Sequence, residues 1–237
     1  LPWEMDWSKE PFGYTERGYL FLASLVKLIL NNATFYFLCM GGLSMYLLYK
    51  GLTKYCAIPL IGLCDYIGRF LLNRDFTQMR SSLAILLIIL AIKFIHERKL
   101  VAYMLVILLA YQFHHLALLG IPLYFLYKIR LNSYIIVVAL LMAMLLSQVA
   151  AGSISDVVDG YSQDLNYDTY VQDEYVEEAL GLRNPMIYFQ MGILLLYSFM
   201  EPVLACKDKY YHLFRWGYFY STLILIFFCN YTALSGR

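Results

Sequence analysis

The chain has 237 residues, of which 61% are hydrophobic and only 15% charged, with a formal net charge of +1. Soluble domains carry about 25% charged residues, so the composition excludes an ordinary water-soluble fold and points to an all-α polytopic membrane protein. A near-neutral chain without a basic stripe also excludes nucleic acid as a partner. The five cysteines, Cys39, Cys56, Cys64, Cys206 and Cys229, lack metal-ligand spacing and read as small packing residues.

In chain order, residues 1–33 form a polar, aromatic opening followed by an amphipathic stretch. Its segment 15–31 (ERGYLFLASLVKLILNN) carries Lys27 within an apolar run and predicts a helix lying in the membrane interface. Spanning helices are then expected near 34–50, 55–72, 80–96, 100–114, 116–128 and 132–152, which makes 34–152 a membrane domain of about six spans. Gly41-Gly42 falls mid-helix and predicts a close-packing patch. Residues 153–184 form a polar loop with eight acidic residues and one base, Arg183; its part 168–180 reads as a short helix. Two further spans, near 185–204 and 211–231, complete about eight. The chain opens on Leu1 and closes on "SGR", so an N-terminal helix and a C-terminal portion are expected outside it.

Charge sets the orientation. One set of connections holds Lys50, Lys54, Lys93, Arg98, Lys99, Lys128, Arg130, Lys207 and Lys209 against Glu97 and Asp208 alone. By the positive-inside rule these lie in the cytoplasm. The alternate connections, including 73–80, 113–116 and 153–184, then face outward. In a bacterium that is the periplasmic or exterior face of the inner membrane.

Arg74 and Arg80 flank the start of the 80–96 span on that outer face. Guanidinium groups are costly beside lipid and usually face a cavity or partner. Their planar donor forks suit phosphate. Asp75 can neutralise only one of the two, and Arg80 opens a helix where the dipole already disfavours a cation. His114-His115 end a span at the same face, where imidazole suits general-base work near neutral pH. Glu16 is either a helix cap or an outward carboxylate facing the same cavity. Arg237 lies just beyond the last span. Toward the opposite face, Glu201 and Arg215 are placed to pair across the last two helices, and Asp65 and Arg69 share one helix face. No metal set is apparent.

These segments resemble the EpsG-type exopolysaccharide polymerases, a Wzy-like family. "ERGYLFLASLVK" (16–27) resembles its E-x-G-[YF]-x-x-L segment, and "NRDFTQMRSSLAILLIILA" (73–91) its arginine-led R-x-x-[LIM]-A helix. "FHHLALLGIPLYFL" (113–126) resembles its F-H-x-[ST]-A-L element, with Leu116 where the family often has a small hydroxyl residue, and "SGR" (235–237) resembles the start of its late gR motif. The resemblance implies a GT-C-like helical bundle similar to O-antigen ligases. It implies transfer of a glycan from an undecaprenyl-diphosphate donor to a lipid-linked acceptor, without cofactor or metal. It places Arg74, Arg80 and Arg237 on diphosphate or glycan and His114 or Glu16 on the acceptor hydroxyl. Expected partners are the lipid-linked oligosaccharide, membrane lipid and other polysaccharide assembly proteins. An O-antigen-type ligase and a flippase for the same glycan are the alternatives.

Overall fold

A computed structural model of the protein describes residues 17–68, 70–71, 78–129, 131–149, 181–227 and 229. Every regular element among them is helical. Two compact units divide at residues 125 and 126.

Unit 1 begins with α1 (Arg17–Ile29), an amphipathic helix whose Lys27 is exposed in the last turn. Asn32 then caps α2 (Ala33–Tyr55) by accepting the Thr34 N–H at 2.8 Å. The helix runs five residues past the expected end at 50. Its last residue, Tyr55, explains why: the hydroxyl donates to Leu90 O at 3.3 Å and accepts the Lys93 N–H at 3.1 Å. The expected packing role of Gly41-Gly42 does not hold, because among the described residues nothing lies within 4 Å of a Cβ added at either glycine.

Pro59, at a helix start where its missing N–H costs nothing, opens the short α3 (Pro59–Tyr66). The expected span 55–72 is therefore preceded by a break at Cys56–Ile58. Arg69, the expected partner of Asp65, lies outside the described residues. α4 (Met79–His96) carries an unbroken run of Leu, Ile and Ala over residues 83–92. It turns through Arg98, at φ 59°, into α5 (Leu100–Tyr111). Lys99 pairs with Glu97 at 2.9 Å in this turn and holds its carboxyl below the usual carboxylate range. A charged, exposed turn of this kind marks an aqueous end of the α4–α5 hairpin.

α5 stops at Gln112, short of the expected 114. A 3-10 turn, His115–Gly120, and the short α6 (Ile121–Leu126) replace the expected span 116–128. Gly120 packs closely here: an added Cβ would lie 2.9 Å from Ile107 Cδ1, which would have to shift, and 3.4 Å from the Tyr103 hydroxyl. That hydroxyl donates to Gly120 O at 2.7 Å and ties the turn back onto α5.

Unit 2 contains α7 (Ser133–Val149), α8 (Pro185–Phe199), the short α9 (Glu201–Leu204) and α10 (Tyr211–Phe227). Asn184 caps α8 by accepting the Met186 N–H at 3.0 Å, with Pro185 at the first position. α10 packs on both α7 and α8. Its Arg215 is 1% exposed and pairs with Glu201 while also donating to Leu131 O, as the sequence spacing anticipated for the pair. Trp216 Nε1 donates to Ile129 O at 2.6 Å, so one turn of α10 fastens the segment before α7. Removing one member of a buried pair strands the other charge. Glu201→Ala is expected to cost about 1–3 kcal/mol, below the fully buried range because the Glu201 side chain is 36% exposed. A fall in thermal unfolding temperature in detergent checks this.

One described helix, Met79–His96, is long and apolar enough to cross a membrane by length and composition; four others are apolar but shorter. Large apolar side chains face outward along the helices, among them Leu38, Val101, Leu145 and Leu196. An apolar exterior of this extent suits lipid rather than water. All five cysteines are free thiols.

Candidate functional site

Four chain segments meet at one end of unit 1: the start of α1, the first turn of α2, the start of α4 and the end of α5. The Gly18 N–H donates to Gln112 O at 2.9 Å. This bond docks the first turn of α1 on the residue that ends α5. No side chain larger than hydrogen fits at Gly18, since an added Cβ would stand 2.7 Å from Gln112 Cβ and 2.9 Å from its carbonyl oxygen. The glycine of the E-x-G-Y segment thus has a steric cause.

Arg80 lies in the first turn of α4, whose cap residue Gln78 makes no side-chain cap bond. The helix start therefore presents amide donors beside a guanidinium, an arrangement that attracts anions. The Arg80 guanidinium carbon sits 5.5 Å from the centre of the Tyr19 ring on α1. Tyr19 in turn meets Tyr36 of α2 edge-on, with centroids 6.0 Å apart.

His114 links α5 to the 3-10 turn. Its N–H donates to Ala110 O at 2.9 Å, and its carbonyl accepts the Ala117 N–H at 3.0 Å. The His114 and His115 rings lie 4.7 Å apart. Beneath these groups a small core of Ala84, Ala110 and Ala117 brings α4, α5 and the turn together, with Leu87, Ile88, Tyr111 and Phe113 packed around it. Ala84 ends the R-x-x-[LIM]-A pattern and Ala117 is the alanine of the F-H motif. Small side chains at both let α4 approach the 3-10 turn, which carries Arg80 and His114 on a shared support. Leu116, the departure from the family pattern, is 40% exposed.

A depression of about 290 Å³ opens beside this corner, lined by Arg17, Gly18, Phe21 and Gln112.

Of the residues expected at the site, the structure describes Arg80 and His114 and places them on neighbouring elements. Glu16, Arg74 and Arg237 lie outside the described residues, as does the acidic loop up to residue 180. Tyr19, Tyr36 and Gln112 join the site without having been singled out. The signal for Tyr19 was its place in the E-x-G-Y segment, and for Gln112 its position directly before Phe113. Among the described residues no three His, Cys, Asp or Glu side chains converge as a metal set.

These features define a class: a protein whose described elements are all helical, with apolar helix faces turned outward and, at one helix-end corner, cationic and aromatic groups close to a histidine-bearing turn. The EpsG family model matches residues 1–237, and the chain belongs to the EpsG family. No curated protein and no solved structure matches it. Membership points to a glycosyltransferase-like role in exopolysaccharide polymerisation with a lipid-linked saccharide substrate.

Proposed function

We propose that the protein is a polysaccharide polymerase that transfers a glycan from a polyprenyl-diphosphate donor to a hydroxyl of a second lipid-linked repeat unit. The juxtaposition of Arg80, Tyr19 and the Gly18–Gln112 contact beside His114 carries this reading. It groups three separated motif segments into one corner that can face both a phosphate and a sugar.

In the reaction the acceptor oxygen attacks the anomeric carbon. The bond from that carbon to the diphosphate oxygen breaks, and polyprenyl diphosphate leaves with the bonding electrons. Arg80 stabilises the negative charge as it develops, with Arg74 and Arg237 as further phosphate or glycan contacts. Fixed guanidinium groups then do what a divalent cation does elsewhere, so the proposed reaction is metal-independent. The acceptor proton passes to His114 or to Glu16. His114→Ala is expected to lower kcat by about 10²–10⁴-fold if His114 is the base, as measured by polymer formation over time.

The reading extends to the whole chain. Residues 1–33 form an outer segment with an interfacial helix. Residues 34–152 and 185–237 form about eight spans of a GT-C-like bundle. Residues 153–184 form an outer acidic loop that guides glycan. The site faces the periplasm or cell exterior of a bacterial plasma membrane. The charge asymmetry of the connections supports that orientation.

The test uses purified full-length protein in detergent with a synthetic prenyl-diphosphate oligosaccharide and no added nucleotide or metal. A ladder of products spaced by one repeat is expected. A single addition to an unrelated acceptor selects the ligase instead. Transfer across vesicles without any new glycosidic bond selects the flippase.

A further inference from the structure

At the end of α4 opposite Arg80, cations gather from three separate places in the chain. Lys54 stands in the last turn of α2, Lys93 in the last turn of α4, and Arg98 and Lys99 in the turn that leads into α5. The Tyr55 hydroxyl fastens the α2 end to α4 through Leu90 O and the Lys93 N–H. One carboxylate, Glu97, lies among these cations. It takes a hydrogen bond from Lys99 and also feels the charges of Lys93 and Lys54. Lys54, Arg98 and Lys99 are all exposed, so the cluster is open to a partner from outside.

Local helix chemistry accounts for part of this charge. Lys54 and Lys93 complement the dipoles of the helices they end. Arg98 and Lys99 stand between the end of α4 and the start of α5, where the two dipoles act on a cation in opposite senses. Arg98 also holds φ 59°, a left-handed conformation that glycine usually fills just after a helix. The Lys99–Glu97 pair is exposed on both sides, and a pair of that kind holds weakly enough for Lys99 to turn to another anion.

Apolar surface begins beside the charges. On α5, Val101, Leu105 and Leu108 share one face at i, i+4 and i+7, and all three are exposed, Val101 by 73%. On α2, Tyr46 and Tyr49 are exposed beside Lys50, whose ammonium lies 5.5 Å from the centre of the Tyr46 ring. Tyrosines next to basic residues at a helix end are typical of a membrane–water interface. The helix ends thus offer cations at the aqueous side and exposed apolar side chains from the next turn inward.

We infer that this end of unit 1 binds an anionic phospholipid, with Arg98 and Lys99 on the headgroup phosphate and the acyl chains along the Val101–Leu105–Leu108 stripe. Lys54 and Lys93 add to the attracting field. A soluble phosphate would use the cations alone; the adjoining apolar stripe selects an amphiphile. With the proposed orientation, this end meets the cytoplasmic leaflet, whose anionic headgroups give it a negative surface potential. The site is distinct from the glycan chemistry, and its occupant anchors the α4–α5 hairpin at a fixed depth in the bilayer.

The test titrates dioleoyl phosphatidylglycerol into the purified full chain in a nonionic detergent and counts bound lipid by native mass spectrometry. Phosphatidylcholine with the same chains, and glycerol phosphate without chains, are separate arms. Wild type should prefer phosphatidylglycerol to both. The double variant Arg98→Gln, Lys99→Gln should lose about tenfold or more in that affinity, since each basic residue near an anionic surface contributes about fivefold. Glu97→Gln should bind more tightly than wild type, because the competing carboxylate is gone, a gain that damage to the fold would not produce. Lys207→Gln, Lys209→Gln removes two cations of the other unit and should keep wild-type affinity. Unchanged affinity in Arg98→Gln, Lys99→Gln overturns the site. An equal loss in Lys207→Gln, Lys209→Gln also overturns it, because binding then follows net charge alone. Equal affinity for phosphatidylcholine overturns the role of the cations. Glycerol phosphate binding as tightly as the lipid overturns the lipid assignment in favour of a soluble phosphate.

Discussion

Arg80→Ala is expected to abolish polymer formation, with at least a 10²–10³-fold loss in turnover, while protein level and lipid-linked single units remain. The magnitude follows from the position of the charge. One fixed donor aimed at developing negative charge contributes about 2.7–4 kcal/mol to a transition state. Arg80 lies in the first turn of α4, where the helix dipole opposes a cation and an anion would be welcomed by both. One of its contacts is the Tyr19 ring at 5.5 Å, an interaction of about 0.5–1 kcal/mol at a partly exposed site. Arg80→Lys keeps the charge and loses the planar fork, so it should fall between wild type and Arg80→Ala. Gel analysis of polymer beside immunoblotting of the protein reads both quantities. Unchanged chain lengths in Arg80→Ala would sink the assignment.

Gly18→Ala is expected to be nearly as damaging, by displacement rather than loss of charge. The new methyl would meet Gln112 Cβ at 2.7 Å and its carbonyl oxygen at 2.9 Å. The carbonyl belongs to the backbone that ends α5, so the clash cannot be relieved by a side-chain rotation. α1 must lift off α5, and the 2.9 Å bond from Gly18 N–H to Gln112 O goes with it. Tyr19, one residue on, then leaves Arg80. A shift of about 1 Å in a positioning element can cost ~10²-fold in rate. Helix content by circular dichroism should stay near wild type, since α1 keeps its sequence pattern. Gly41→Ala and Gly42→Ala are the controls. Nothing described lies near either Cβ, and alanine favours a helix interior by about 0.5–1 kcal/mol over glycine. Those two should polymerise normally and unfold at the same or a higher temperature.

The helical class was legible from composition, and α4 almost to the residue, because a long apolar run is bounded by Gln78 on one side and Glu97-Arg98-Lys99 on the other. Other boundaries were not. Hydropathy continues through Gln112–His114, but the backbone leaves the helix there so that α1 can dock and a 3-10 turn can form. α2 outruns its apolar segment because Tyr55 is tied to α4. Gly41-Gly42 looked like a packing patch because small-residue pairs often are; which face of α2 they occupy depends on neighbours that a sequence does not display. Within the site, Arg80 and His114 stood out as polar groups at apolar helix ends. Tyr36 and Gln112 did not, since a neutral tyrosine or glutamine near a membrane surface is ordinary. Only tertiary packing brings Tyr36 beside Tyr19, or Gln112 beside Gly18. The motif alanines, Ala84 and Ala117, acquire their reason in the same way, as the close contact between α4 and the 3-10 turn.

The central claim is that the α1, α2, α4 and α5 ends form the diphosphate-binding corner. Photo-crosslinking tests it most directly. A farnesyl diphosphate analogue carrying a diazirine next to the diphosphate would be irradiated with the full-length protein in membranes, and the labelled peptides mapped by mass spectrometry. The account predicts labelling within residues 17–36, 79–84 and 112–117, suppressed by excess unlabelled probe and reduced in Arg80→Ala. Competed labelling confined to residues 201–216, with none at these segments, would contradict it.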